Sequence, residues 1–194
     1  RTSYVIRLAR NLARRPEIAP PAGDPELPTG GYPVASDDYG NLRLTREQLV
    51  GVEARRLHIA RLDQQENLRF LTETSAEVLE KMRRDVERTG ARFLVVLAPD
   101  VFQVEASLRE EAARSLGLSL EDIDTAAPQR ALTVLLEARG VETRDLLSAF
   151  QAAAESGERL YWPHDTHWNE AGHRLAGRLL AQHLLGPDSA SRQP

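Results

Sequence analysis

Hydrophobic positions along the chain follow two rhythms. Between residues 46 and 89 they recur at three- and four-residue steps. Leu49, Val52, Leu57, Ile59 and Leu62 form one stripe, and Leu68, Leu71, Val78, Leu79, Met82 and Val86 form the next. Such spacing predicts helix over the whole of 46–89, with Gly90 as its stop. The rhythm then changes. From Phe93 to Ala98 the apolar run is continuous, as in a parallel strand covered on both faces, and Pro99-Asp100 ends it. Helical spacing returns through Val104, Leu108 and Ala112 to Leu116, with Gly117 closing the helix. A short turn is expected at Ser119–Asp122, and a further helix runs from Pro128 to Arg139-Gly140. Val141–Leu146 reads as a second, weaker strand, followed by a helix over 147–154. The last helix has Asn169 as its cap and Gly172, Leu175, Leu179 and His183 along one stripe. Helix, strand, helix, helix, strand, helix, loop, helix is the order of an α/β fold whose parallel strands are joined by helical crossovers.

The ends read differently. Residues 2–15 form a basic amphipathic pattern, which can lie on a membrane surface but is read in preference as an ordinary surface helix of a larger domain. Residues 16–41 are rich in Pro and Gly and too long for an ordinary connection, which suggests a flap or insertion. The expected organisation is therefore a helix plus flap over 1–45, an α/β domain over 46–185 and a frayed tail over 186–194. Two parallel strands alone would leave both sheet edges bare. The chain also starts at Arg1, with Met82 as its only methionine. Both points lead to the expectation that N-terminal strands of the domain precede residue 1.

Composition narrows the function classes. The 194 residues suit one domain, and a net charge of −4 offers no basic field for nucleic acid. No apolar run approaches the roughly 20 residues of a membrane span, so no integral membrane segment is expected. The absence of cysteine excludes disulfides, thiolate metal sites and a cysteine nucleophile.

The chemistry gathers in Tyr161–His173, which holds three of the five histidines and both tryptophans. Asp165 and His167 are two apart, so in an extended segment they point to the same side. A carboxylate can then orient an imidazole and leave its other nitrogen facing a cleft, which is the pairing of an orienter with a general base. Asp165 has a second reading, in which it only caps backbone amides ahead of the helix. His164, Trp168, Asn169 and His173 are expected to touch the substrate or to support the Asp165–His167 pair from behind; beside that, Trp168 reads as a packing anchor, Asn169 first as a helix cap, and His173 as a surface residue on the first helical turn. His183 lies on the apolar stripe and is expected to be a satisfied histidine of the core or its edge. His164, Asp165, His167 and His173 are also metal-ligand types, but His-x-x-His in a loop is a loose pattern; neither a metal nor a cofactor is expected.

Asp165-Thr166-His167-Trp168-Asn169, followed by Gly172-His173, resembles the C-terminal catalytic block of SGNH (GDSL-like) hydrolases. The nearest variety is the one related to alginate-type polysaccharide O-acetyltransferases, and the likeness covers roughly residues 73–185. It implies a three-layer, flavodoxin-like α/β fold. It further implies His167 as catalytic base, Asp165 as its partner, a serine nucleophile in a Gly-Asp-Ser block, and Gly and Asn donors for the oxyanion. The substrate it implies is a carbohydrate or other ester, and the location it favours is the cell envelope or the exterior. Two departures stand out. None of the ten serines sits in Gly-Asp-Ser or Gly-x-Ser-x-Gly, and only 27 residues follow His167. The nucleophile is therefore expected upstream of Arg1. Many SGNH enzymes also carry Asp-x-x-His, whereas position 164 here is His, so Asp165 must serve. The alternative to an esterase or O-acyltransferase is a non-catalytic binding or assembly module on the same fold.

Overall fold

The computed structural model describes residues 35–36 and 42–185. The expected basic helix at 2–15, almost all of the Pro/Gly-rich flap at 16–41 and the tail at 186–194 lie outside those residues. Two short strands, β1 (Ala35–Ser36) and β2 (Leu42–Arg43), pair antiparallel. Helix α1 (Arg46–Leu57) begins at a capping box, in which the Thr45 hydroxyl accepts from the Gln48 amide and the Gln48 side chain accepts from the Thr45 amide.

The single helix expected over 46–89 is broken. After α1 come two 3-10 turns, His58–Ala60 and Leu62–Gln64, and only then α2 (Gln65–Glu87). The break is at Arg61, which is extended (φ −72°, ψ 139°) and bridges Ile123. The Ala60 carbonyl accepts from the Asp124 amide at 2.8 Å. A long-range ladder contact thus overrides local helical preference. Gly90 ends the segment with φ 82°, the left-handed position expected of it.

β3 (Leu94–Leu97) and β4 (Glu142–Asp145) pair in parallel, in register from Leu94↔Glu142 to Leu97↔Asp145. Between them run α3 (Val101–Val104), α4 (Ala106–Ser115), a 3-10 turn (Leu120–Asp122) and α5 (Ala127–Ala138). The one helix expected after Asp100 is therefore two, divided at Glu105, which is extended (φ −89°, ψ 105°). α6 (Leu147–Glu155) and α7 (Glu170–Leu185) follow β4.

Side-chain alternation along β3 assigns the layers. Val95 and Leu97 pack with Ala76 of α2 and Leu136 of α5. Val96 packs on the opposite face, in the cluster of Phe150 from α6 and Leu175 and Ala176 from α7. The result is an α/β arrangement around a small parallel sheet, as the apolar patterns predict, with helices on both faces as the three-layer fold implied by the resemblance requires. His183 is the satisfied edge histidine expected of it, with Nε2 2.9 Å from Glu142 Oε1. Among the described residues, no helix is long and apolar enough to cross a membrane.

Candidate active site

The candidate site is a small hairpin between α6 and α7. Tyr161 and Trp168 bridge antiparallel, the Trp162 amide donates to the His167 carbonyl (3.0 Å), and the Asn169 amide donates to the Leu160 carbonyl (2.9 Å). At its tip the Asp165 amide donates to the Trp162 carbonyl at 3.2 Å, closing a four-residue turn. Pro163 takes the second position, where its fixed φ suits the turn. His164 takes the third with φ 59°. This is the type II pattern, which requires positive φ there and is ordinarily filled by Gly or Asn. Among the described residues His164 is the one non-glycine with positive φ, a strain of about 1 kcal/mol.

The expected extended segment is thus corrected to a tight turn, because Pro163 and the Asp165–Trp162 hydrogen bond fold the backbone back. Asp165 and His167 meet nonetheless. His167 Nδ1 lies 2.7 Å from Asp165 Oδ1. The same oxygen accepts from the amides of Thr166 (2.6 Å) and His167 (3.2 Å). The two readings of Asp165, capping and pairing, therefore coexist on one atom, and the amides it caps belong to its own loop rather than to α7. A carboxylate only accepts, so the tautomer of the neutral imidazole that suits this contact has its hydrogen on Nδ1 and a lone pair on Nε2. The His167 side chain is 82% exposed and that of Asp165 25%, so water screens the pair and its worth is orientation rather than Coulomb energy.

Four anchors fix the hairpin to the scaffold. The buried Tyr161 hydroxyl donates to the Pro99 carbonyl, just past the end of β3, at 2.7 Å. The Trp168 ring lies 4.9 Å from that of Phe150, so it is a packing anchor. Asn169 caps α7 by accepting from the amides of Ala171 (2.8 Å) and Gly172 (3.0 Å). Gly172 has no room for a side chain: a Cβ there would meet the Leu160 carbonyl oxygen at 2.4 Å and Trp168 Cβ at 2.9 Å. Of the remaining candidates, exposed His173 sits edge-on to Trp168 with ring centroids 5.6 Å apart. His164 forms the turn, and its carbonyl accepts from the Leu44 amide at 2.9 Å. Among the described residues no three acidic or histidine side chains converge as a metal site would need.

Two features escaped the sequence reading. Trp162, not Trp168, is the exposed tryptophan, at 43%. Behind the hairpin lies Glu53, fully buried on α1. It accepts from the Phe102 amide (3.2 Å) and from Arg56 (3.1 Å), and Arg56 also reaches Asp100 at 3.1 Å. Burial pushes Glu53 up to about 7, against the pull of Arg56. Burial likewise raises Asp100 and the Tyr161 phenol, the latter also facing the charges of Asp100, Glu105 and Glu53. A signal was present: Glu53 stands midway between Leu49 and Leu57 at the four-residue spacing of the buried stripe.

The sequence model of one family, described as an SGNH hydrolase-like domain of the acetyltransferase AlgX, matches residues 57–193. That is well over half of the 194 residues. The chain belongs to this AlgX family. The match takes in both strands of the parallel sheet, the whole hairpin and α7. It also extends beyond the roughly 73–185 over which the resemblance was read, to include the break at Arg61. Within the AlgX domain, Asp165–His167 lies where a loop joins two helices on the far side of the sheet from α2 and α5. Searches of curated proteins and of solved structures found no match.

Proposed function

We propose that the chain carries the acid–base half of an SGNH-type serine ester hydrolase or O-acyltransferase, acting on a carbohydrate or other ester. The observation that carries this reading is the 2.7 Å contact from Asp165 Oδ1 to His167 Nδ1, which leaves Nε2 open at an exposed loop. The membership in a family of hydrolase-like acetyltransferase domains supports it.

In this reading Nε2 of His167 takes the proton of a serine hydroxyl as its oxygen attacks the acyl carbonyl. The imidazolium, held by Asp165, then gives that proton to the departing alcohol. An acyl-serine remains, and Nε2 next deprotonates either water, giving hydrolysis, or a second alcohol, giving transfer. Among the described residues no serine is hydrogen-bonded to His167, and the scheme requires one to be brought to Nε2. His167→Ala in the full-length protein should lower ester turnover on the order of 10³-fold or more. Turnover at the wild-type rate would overturn the proposal and favour a binding or assembly module on the same fold.

A further inference from the structure

The hairpin that carries Asp165 and His167 is gripped firmly at its base and lightly at its tip. Its four anchors, Tyr161, Trp168, Asn169 and Gly172, belong to its two strands or to the start of α7. Among the described residues, one hydrogen bond reaches the tip, residues 163–166, from outside the hairpin. It runs from the Leu44 amide to the His164 carbonyl, at 2.9 Å.

The tip needs such a hold. His164 has φ 59°, a left-handed position that costs a side chain energy, and a residue stays there only while its surroundings impose it. The carbonyl that Leu44 grips belongs to the His164–Asp165 peptide. The amide of the same peptide donates to the Trp162 carbonyl at 3.2 Å, the long end of the usual range. One planar unit is thus held on one side by the turn itself and on the other by Leu44. The Asp165 Cα lies in that plane. A tilt of the unit therefore moves the Asp165 carboxylate, whose Oδ1 meets His167 Nδ1 at 2.7 Å.

Leu44 is itself well seated. Its side chain packs on the core cluster that includes Phe150 and Leu175. Before it, Arg43 of β2 pairs with Ala35 of β1; after it, Thr45 forms the capping box of α1. The amide is presented by two fixed elements rather than by a loose loop. Leu44 also precedes residues 57–193, the span of the family match, so this hold comes from outside the matched domain.

We propose that Leu44 is a positioning residue: its backbone amide holds the His164–Asp165 peptide and so sets where Asp165 presents its carboxylate to His167. The proposal deepens the ester-chemistry reading, on which it rests for the role of that pair. It makes the stretch ahead of α1 a working part of the site, although the Leu44 side chain takes no part in the chemistry.

The test removes one N–H and leaves every side chain in place. In full-length protein labelled with ¹⁵N-histidine, Leu44 is exchanged for leucic acid, its α-hydroxy counterpart, so that an ester replaces the amide. The control is the same exchange at Asp124, with malic acid; the Asp124 amide donates to the Ala60 carbonyl at 2.8 Å, a long-range bond at the Arg61 break. Each exchange loses one backbone hydrogen bond and should lower the melting temperature by about 2–4 °C. Only the exchange at Leu44 should lower kcat for ester turnover, about 10- to 100-fold with KM changed less than about 2-fold, the scale of a misplacement of about 1 Å. At about pH 9, where an ordinary imidazole is neutral, the His167 ¹⁵N signals should also shift only there, from hydrogen on Nδ1 toward hydrogen on Nε2. Unchanged kcat and His167 signals in the Leu44 variant, or an equal loss of kcat in the Asp124 variant, would overturn the proposal. A His167 signal shift in a protein whose turnover survives His167→Ala would sink the ester chemistry and spare the positioning. His167-dependent turnover indifferent to the Leu44 exchange would do the reverse.

Discussion

Two carboxylates in this protein each hold a basic side chain, and they are held in opposite ways. Asp165 sits on a surface hairpin and meets His167 two residues on; its other partners, the amides of Thr166 and His167, belong to the same turn. Glu53 is fully buried and meets Arg56 on its own helix and the Phe102 amide 49 positions away. The stronger electrostatic perturbation belongs to Glu53, whose carboxyl is pushed up to about 7 by burial. A perturbed group in a fold is often taken as a pointer to function. Here it marks a structural joint between α1 and α3, whereas the pair proposed for chemistry is distinguished by access and by the direction of one imidazole nitrogen.

The sharpest way to break this contrast is to neutralise each carboxylate in turn. Asp165→Asn should cut ester turnover on the order of 10³–10⁴-fold, because the amide no longer fixes the His167 tautomer. Glu53→Gln should leave turnover unchanged; a comparable loss there would erase the distinction. The next largest effect falls on the joint that carries the exposed pair. Gly172→Ala should destabilise the fold by about 3 kcal/mol, read as a lower denaturation midpoint at constant slope. The Leu160 carbonyl, at 2.4 Å from the new Cβ, has to move and takes the hairpin with it.

The buried carboxylate has its own signature in pH. Folded Glu53 keeps its proton to about pH 7, while the ordinary value is 4.5. Between those values the folded state binds more protons than the unfolded, so stability present below about pH 4.5 is lost as the pH rises through about 7. The loss is about 3 kcal/mol. Glu53→Gln should therefore match wild type near pH 4.5 and melt roughly 10 °C higher at pH 8, by calorimetry at both pH values. The smallest effect expected is that of Tyr161→Phe. It removes the hydrogen bond to Pro99 at the cost of about 1 kcal/mol, and should disturb the geometry of the exposed pair while leaving the Glu53 profile intact.

The parts legible in the sequence were those set by local pattern. The uninterrupted apolar run ending at Ala98 marked β3, and the stripe through Leu175 and Leu179 marked α7. The Asp165–His167 pairing followed from a spacing of two, although the backbone that achieves it is turned rather than extended. Trp162-Pro163-His164-Asp165 did carry a turn signal in its proline, but the positive φ of His164 is set by the ladder between Leu160 and Asn169. The helix breaks were not legible, since that at Arg61 is made by Ile123, sixty-two positions further on. Tyr161 reaches Pro99 across a similar separation. Contacts of that range leave no periodic trace near either partner.

Asn169 has a bearing on which sequences this site can tolerate. Its side-chain oxygen accepts from the first turn of α7, while its side-chain nitrogen donates backwards to the carbonyls of Arg159 (2.7 Å) and Tyr161 (3.3 Å). Aspartate, serine and threonine begin helices about as well as asparagine does. Aspartate would turn a carboxylate toward two carbonyl oxygens, and the hydroxyl residues are too short to span both directions. At this position the usual synonyms stop being interchangeable, and the carboxamide is needed for what it holds on its other side.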